Sequence, residues 1–320
     1  MNRAQSIMAA IAAGLLLNAC GGGSSSSDVA QAVKAPTTSS PNLVAIGDSL
    51  TEGVGSSNGG YPAVLSGMLN DKPYANLGIG GQTSTQIASR IGALSSAVTL
   101  DGNAVPASTT AVSVLSLSID LLSTPADDTA RSKSGSLCSV HGVLQRTAVG
   151  GPPSTSEIYT FTRDAPGQAV SCSPASAFLA DSEGYDAWTA IIWVGRNNYD
   201  DVATVVADVK AIVQWLKPSS AHFAVLSVIK GEFSYEYAGA LGAQHIDQIN
   251  AELEAAYPDN FVDIETVLVN SYDPNLPQDV MDHMNNIPPT SLRSDTVHLN
   301  DAGYGIVAAQ LKSFISARNW

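Results

Sequence analysis

Two short segments near opposite ends of the chain carry residues that could perform nucleophilic catalysis. Ser49 lies in the segment Gly-Asp-Ser-Leu at 47–50, directly after an apolar run. His298 follows Asp295 by three residues near the other end. A serine hydroxyl is a weak nucleophile at neutral pH unless a base accepts its proton and an acid orients that base. Ser49, His298 and Asp295 are therefore candidates for these three roles.

Strand and helix patterns alternate in two blocks that must position these residues. Short apolar runs predict five strands, at 43–46, 74–79, 188–194, 222–229 and 260–264. Apolar residues at helical spacing predict helices over 61–69, 83–94, 202–216, 246–257 and 301–318. Apolar strands that alternate with helices are typical of a parallel sheet covered on both faces. We therefore expect a flavodoxin-like, doubly wound, three-layer α/β/α domain with a five-stranded parallel sheet.

Ser49 directly follows the first predicted strand. Ligands of open α/β sheets bind beyond the carboxyl ends of the strands, near the switch in strand order. We therefore expect Ser49 at the ligand-binding edge of the sheet.

The stretch 95–187 breaks this alternation. It is rich in Ser, Thr, Ala, Gly and Pro, and its period-two segments at 111–119 and 157–163 indicate strands. A structureless loop of this length is uncommon in a compact domain, so we expect an inserted, mainly β subdomain. Tyr159 and Phe161 could present rings to a sugar or shield an acyl pocket, although a core role within the subdomain is favoured.

Four segments of the chain resemble the sequence blocks of the SGNH, or GDSL-type, esterase/lipase family. They occur in the family's order, at 47–53, 76–83, 195–198 and 295–304. Together they extend the resemblance over the 42–320 domain, with the insertion between the second and third blocks. The resemblance implies hydrolysis of carboxylic esters through an acyl-serine intermediate, without a cofactor or metal.

The resemblance also implies a role for each matching residue. Ser49 would be the nucleophile, His298 the general base and then acid, and Asp295 the group that fixes the imidazole tautomer. The oxyanion hole would consist of the N–H groups of Ser49 and Gly81 and the side-chain amide of Asn197. Asp48 would be structural.

The third block departs from the family pattern at two positions. Asn198 stands where the family usually has Asp, which puts the packing anchored by that residue in question. Arg196 replaces a smaller residue. Arg196 could bind an anionic or polar group of the substrate, or it could be a surface side chain paired with a carboxylate.

Three hypotheses for the function are compatible with the sequence. The leading hypothesis is an ester hydrolase for short acyl esters, and a carbohydrate O-acetylesterase acting on envelope or environmental glycans is an alternative. A non-catalytic, glycan-binding surface lipoprotein is a third.

His283, in the long loop before Asp295, competes with His298 as the base. The formal charge of −14 disfavours nucleic acid as a partner because phosphates would be repelled.

The first 41 residues have the composition of a targeting segment. Arg3 precedes a short apolar run at 7–17, and Leu-Asn-Ala-Cys at 17–20 resembles a bacterial lipobox. This predicts a signal peptide over 1–19, lipidation of Cys20 and a flexible tether over 20–41; an ordinary secretory signal is the alternative. Gly21 after the cysteine resembles sorting signals for the outer membrane, so we expect a lipid-anchored protein of the bacterial cell envelope.

Cysteine usage agrees with export. With Cys20 lipidated, Cys138 and Cys172 remain as an even pair in an oxidising compartment. We predict a disulfide between them, with two free buried thiols as the alternative.

Overall fold

The computed structural model describes residues 42–123, 130–149, 156–217 and 222–320. Its strands are β1 (Leu43–Gly47), β2 (Tyr74–Gly78), β3 (Ser96–Leu100), β4 (Ala104–Val105), β5 (Val112–Leu117), β6 (Arg131–Leu137), β7 (Val140–Val149), β8 (Ser156–Arg163), β9 (Val170–Ser171), β10 (Ser176–Ala180), β11 (Thr189–Trp193), β12 (Phe223–Leu226) and β13 (Phe261–Val262). Its helices are α1 (Ser49–Glu52), α2 (Gly60–Met68), α3 (Ser84–Arg90), α4 (Val202–Trp215), α5 (Leu241–Ala256), α6 (Ile264–Val269), α7 (Pro277–Met284) and α8 (Asp301–Ala317).

Five parallel strands form the main sheet in the order β13-β12-β11-β1-β2. The predicted flavodoxin-like α/β architecture is thereby confirmed. Strand β1 is buried on both faces: Leu43 and Ala45 pack toward α2, α6 and α8, whereas Val44 and Ile46 pack toward α3, α4 and α5. Burial on both faces explains why β1 has no polar residue at alternate positions.

The insertion contains a second β structure. Strands β10, β3, β5, β8, β7 and β6 close, in that order, into a barrel, hereafter the inserted barrel. Phe161 and Phe178 meet edge to face in its core at 6.3 Å between ring centroids, and Tyr159 is also buried. These contacts support the core role over sugar binding for Tyr159 and Phe161. The predicted strand content is therefore present, while the 95–187 boundaries stay a prediction.

A disulfide joins Cys138 to Cys172, as expected from the cysteine count. Cys138 lies in the β6–β7 turn, and Cys172 directly follows β9. The bond thus ties a hairpin of the inserted barrel to the small β4–β9 sheet.

Several boundaries differ from the sequence expectation: the strand predicted over 222–229 already ends at Leu226, and the helix predicted over 246–257 begins at Leu241. The strand predicted over 260–264 is limited to β13, because Asp263 caps α6 by accepting a hydrogen bond from Thr266 N–H at 3.0 Å. The helix predicted over 83–94 ends at Arg90, four residues early. Helices α1, α6 and α7 were not anticipated.

The predicted signal peptide, the lipidated Cys20 and the tether lie outside the described residues. In the part of the chain that the structure describes, no helix is both long enough and apolar enough to cross a membrane.

Candidate active site

Ser49 is held at the carboxyl end of β1 by a tight turn. Gly47 ends β1 where a Cβ would lie only 2.4 Å from the backbone oxygen of Trp193, so only glycine fits there. Asp48 caps α1, its Oδ1 accepting a hydrogen bond from Leu50 N–H at 3.0 Å. Because Ser49 is the first residue of α1, its N–H has no acceptor within that helix. The turn thus presents both the hydroxyl and the N–H of Ser49, whose exposure is only 8%.

The three residues that the sequence proposes as a triad meet at this edge. His298 Nε2 lies 2.9 Å from Ser49 Oγ, and His298 Nδ1 lies 2.7 Å from Asp295 Oδ2. The other oxygen of Asp295 accepts hydrogen bonds from the N–H groups of Val297 and His298 at 2.8 and 2.7 Å. The carboxylate is therefore fixed in the orientation that holds a proton on Nδ1 and leaves Nε2 free to accept one.

Two carboxyl groups near the serine have shifted pKa values of opposite sign. Burial alone would raise the pKa of Asp295, but hydrogen bonds from His298 and Val297 outweigh it and lower that pKa below its ordinary value. Burial raises the pKa of Asp48 to about 6, opposed mainly by the hydrogen bond from Leu50 N–H. Asp295 is thus kept ionised, whereas Asp48 holds its proton more tightly.

The loop between β2 and α3, residues 79–83, faces Ser49. Gly81 has a φ of +78°, a conformation that favours glycine. Asn197 lies in the short 3₁₀ turn after β11, and its Nδ2 donates a hydrogen bond to Gln82 O at 2.9 Å. An amide nitrogen has two hydrogens, so one of them remains for another acceptor. Gly81 and Asn197, proposed as oxyanion donors, are therefore brought to the pocket of Ser49.

Asn198, which stands where the family usually has Asp, bonds the first residue of α3. Its Oδ1 accepts a hydrogen bond from Ser84 N–H, and its Nδ2 donates one to Ser84 Oγ, both at 3.0 Å. The side chain amide therefore anchors the start of α3 with both of its polar atoms.

Arg196 lies in the wall of the pocket and is not a surface residue. Its Nη2 donates to the buried Glu236 at 2.9 Å, and its guanidinium lies 5.1 Å from the ring centre of Tyr199 and 5.9 Å from that of Phe233. The ion pair that the sequence allowed is present, but it is buried. A contact between Arg196 and substrate stays a prediction.

The pocket over Ser49 has a volume of about 590 Å³. Its lining includes residues that the sequence patterns did not single out: Glu52, Val54, Tyr199, Phe233, Tyr235, Glu236 and Val297. Glu52 Oε2 accepts a hydrogen bond from Gly80 N–H at 2.7 Å and so fixes the facing loop. Residues 233–236 follow β12 at the carboxyl edge of the sheet, which is the one signal that could have identified them.

His283, the competing candidate for the base, is placed differently from His298. His283 stacks on Tyr272 at 4.1 Å between ring centroids, and its Nδ1 lies 3.1 Å from Val269 O. Ser49 Oγ contacts His298 and not His283, so the geometry disfavours His283 as the base. Among the described residues, no group of three or more His, Cys, Asp or Glu side chains is arranged to hold a metal ion.

Comparison with known proteins gives both a sequence relative and structural neighbours. The tail spike protein of Salmonella phage epsilon15 is 27% identical over 211 residues, which is 57% of this chain and 19% of that protein. The chain thus spans less than two thirds of this relative's length. No family model matches the chain.

The solved structures similar to this chain include three hydrolases. A member of the lipolytic protein G-D-S-L family from Veillonella parvula has 12% identity and a TM-score of 0.45, over 86% of this chain and 98% of its own. The acetyl xylan esterase AlAXEase has 14% identity and a TM-score of 0.45, over 85% and 98%. A peptidoglycan O-acetylesterase has 11% identity and a TM-score of 0.33, over 87% and 91%. The family that the four sequence blocks resemble is therefore represented among these structures.

Proposed function

We propose that the protein is a carboxylic ester hydrolase that acts through an acyl-Ser49 intermediate and needs no cofactor. The continuous hydrogen-bonded line from Ser49 Oγ through His298 to Asp295 carries this proposal. Nucleophile, base and orienting acid lie within the distances that the chemistry requires. The open pocket above Ser49 leaves room for a substrate.

In the first half of the proposed reaction, Ser49 Oγ attacks the ester carbonyl while His298 Nε2 takes its proton. The carbonyl oxygen becomes an oxyanion, which the N–H groups of Ser49 and Gly81 and the Nδ2 of Asn197 stabilise. His298 then gives the proton to the departing alkoxide, which leaves as an alcohol. The acyl group remains bonded to Ser49.

In the second half, water attacks the acyl-enzyme. His298 takes a proton from the water and returns it to Ser49 Oγ when the tetrahedral intermediate collapses, and the carboxylic acid is released. Asp295 accepts no proton in either half, which agrees with a pKa below its ordinary value.

The test is turnover of p-nitrophenyl acetate by wild type and Ser49→Ala, together with labelling by a fluorophosphonate. We expect a loss of kcat by a factor of about 10⁴ or more in Ser49→Ala, and no label on that variant. Ser271→Ala is the matched control, because the Ser271 hydroxyl is exposed and bonds only Val267 O. Turnover that does not depend on Ser49 would refute the proposal.

A carbohydrate O-acetylesterase is the second candidate, and one observation favours it. Tyr235 is 54% exposed at the pocket and stacks on Phe233 at 5.3 Å between ring centroids with an angle of 12°. Such an open aromatic face is suited to the apolar face of a sugar ring. In a panel of p-nitrophenyl esters of increasing acyl length and acetylated polysaccharides, Tyr235→Ala would raise KM only for the polysaccharides. Equal effects on both classes would count against a sugar.

A non-catalytic glycan-binding lipoprotein is the third candidate. It is disfavoured because a protein that only binds would not need Ser49, His298 and Asp295 in hydrogen-bond contact. It would regain support from wild-type protein that bound glycan yet hydrolysed no ester.

We also propose, on the sequence alone, that Cys20 is lipidated and anchors the protein in the bacterial cell envelope, at the outer membrane. The tether over 20–41 would hold the hydrolase domain away from the lipid surface. Incorporation of labelled palmitate into wild type but not into Cys20→Ser would support this, and equal incorporation would contradict it.

A further inference from the structure

The side chain of Gln82 links the loop that faces Ser49 to the inserted barrel. Gln82 is completely buried, and its Nε2 donates hydrogen bonds to Leu121 O at 3.0 Å and Ser123 O at 3.2 Å. Its Oε1 accepts a hydrogen bond from Arg90 Nε at 2.8 Å. Both amide hydrogens and the amide oxygen are therefore used, and the side chain has one defined orientation.

The backbone of the same residue contacts a proposed oxyanion donor. Gln82 O accepts the hydrogen bond from Asn197 Nδ2, and Gln82 directly follows Gly81. A shift of Gln82 would therefore move the amide of Asn197 and the N–H of Gly81 together. An oxyanion hole is sensitive to such a shift, because donors must meet the oxyanion at hydrogen-bond distance.

The segment of the insertion that holds Gln82 is itself fixed. Residues 118–123 follow β5, and Ser118 N–H donates to Ala97 O at 3.0 Å. Ile119 exchanges two hydrogen bonds with the Ser96 hydroxyl, at 2.9 and 3.1 Å. Leu121 is fully buried in the core of the inserted barrel. The carbonyl groups of Leu121 and Ser123 are therefore presented by a segment that is anchored to the barrel.

A second side chain strengthens the same junction. Gln86 Nε2 donates to Asp120 O at 3.0 Å, while its Oε1 accepts from Thr83 N–H at 3.0 Å. Residues 120–123, which follow β5 of the inserted barrel, thus hold the loop and the start of α3 through three carbonyl groups.

We propose that Gln82 is a positioning residue through which the inserted barrel sets the geometry of the oxyanion hole. The inference rests on the proposed ester hydrolysis. Its side chain carries the constraint from residues 121–123, and its backbone passes that constraint to Gly81 and Asn197. The insertion is then a structural part of the catalytic site, whatever else it binds.

The test is a double-mutant cycle between Gln82→Met and Asn197→Ala. Met has a similar length but no hydrogen-bonding amide. We expect Gln82→Met to lower kcat on p-nitrophenyl acetate by about 10- to 100-fold with KM changed by less than about 2-fold, since misplaced groups cost rates of this order. With Asn197 already replaced by Ala, the further loss should be at least about 3-fold smaller than in the wild-type background, because the part of the effect that acts through Asn197 is already gone while the part that acts through Gly81 remains.

Gln278→Met is the matched control, because Gln278 bonds only Asp282 on α7, at a site not among the pocket residues. If Gln82→Met fails to fold, Gln82→Glu replaces it in the cycle. That variant keeps the length and the acceptor for Arg90 but loses both donors to the barrel.

Additive losses in the cycle, or a kcat of the Gln82 variant within about 2-fold of wild type, would overturn the positioning role. These results differ from failure of the proposed function, in which wild type itself would show no turnover dependent on Ser49.

Discussion

The main sheet and the inserted barrel contribute to the active site in different ways. The sheet presents the reacting groups at its carboxyl edge, with Ser49 after β1 and Asn197 after β11. The described barrel strands contribute no side chain to the pocket wall, and the segment after β5 holds the facing loop through the carbonyl groups of Leu121 and Ser123. The main sheet thus supplies the reacting side chains, whereas the loop that faces Ser49 is held both by Glu52 of α1 and by the insertion.

Each region also contains a histidine bonded to carboxylates, and the difference is informative. His298 Nε2 has Ser49 Oγ as its second partner, and its side chain is 20% exposed. His141, in the inserted barrel, lies between Asp164 and Asp181 and is 48% exposed. Hydrogen bonds to Asp164 and Asp181 raise the pKa of His141, which favours a charged ring. A histidine bonded to a carboxylate is thus a candidate base only where its other ring nitrogen contacts a nucleophile.

The largest effect that would test this comparison is that of Asp295→Asn. The change keeps the size of the side chain but no longer holds a proton on His298 Nδ1, so the ring can adopt the wrong tautomer. We expect kcat on p-nitrophenyl acetate to fall by about 10⁴-fold, with little change in the folded structure. The steady-state rate, measured beside the circular dichroism spectrum, checks this.

Asp164→Asn is the matched variant in the barrel. It removes the same kind of carboxylate from a histidine that has no serine partner, so kcat should stay within about 2-fold of wild type. A large loss of kcat in Asp164→Asn would show that the barrel pair takes part in the reaction, and the contrast between the two regions would fail.

The sheet was predictable from sequence for a physical reason. Strands such as β1 and β11 are buried on both faces, so they are continuous apolar runs bounded by glycine or polar residues. The barrel strands have weaker patterns: β6 is mostly Ser, Lys and Gly, with Leu137 as its one large apolar residue. Their pairing depends on contacts between segments far apart in sequence, which periodicity does not encode.

The residues of the candidate site also differ in how far the sequence could predict them. Ser49, Asp295, His298, Gly81 and Asn197 lie in short segments whose residue order indicates their chemistry, and the structure brings them together. Phe233, Tyr235 and Gln82 could not be identified in this way. The aromatic pair depends on where the chain turns after β12, and the role of Gln82 depends on a barrel that packs against it. Short sequence segments identify the catalytic residues, whereas the contacts that position those residues form only in the tertiary structure.

The disulfide offers a second way to sharpen the comparison. It closes a loop with a sequence separation of 34 residues inside the insertion, so its removal should cost about 3–4 kcal/mol of stability in the chain-entropy model. We expect the double variant Cys138→Ser/Cys172→Ser to lose this stability mainly in the barrel. At 25 °C its kcat should stay near that of wild type, because Ser96 and the barrel core, and not the disulfide, fix residues 118–123.

Tryptophan fluorescence and hydrogen exchange can separate the two regions in this variant. All four tryptophans, at 188, 193, 215 and 320, lie outside the barrel strands. Exchange of the β6–β8 amide groups should therefore accelerate at denaturant concentrations where the fluorescence is still native. Simultaneous loss of both signals would show that barrel and sheet unfold as one unit.

The smallest expected effect concerns Asp48, at the sheet edge. Its pKa is raised from 3.8 to about 6 by burial, so the unfolded chain ionises this carboxyl at a lower pH than the folded protein does. As pH rises from about 4 to 6, Asp48 therefore lowers the free energy of unfolding, by at most about 3 kcal/mol at 1.36 kcal/mol per pKa unit. Asp48→Asn removes this loss while keeping an oxygen for Leu50 N–H.

The free energy of unfolding from urea titrations between pH 4 and 7 measures this contribution. The free energy of unfolding of Asp48→Asn should rise relative to that of wild type as the pH increases over that interval. The cost of burying the new amide does not depend on pH, so it would shift every point of the variant's curve by the same amount. Asp201→Asn, at the exposed cap of α4, is the matched control for loss of a capping carboxylate. Parallel curves for wild type and Asp48→Asn would contradict the prediction. A rising difference would mean that the sheet edge presents Ser49 at a cost in stability, as expected where a site needs a buried polar group.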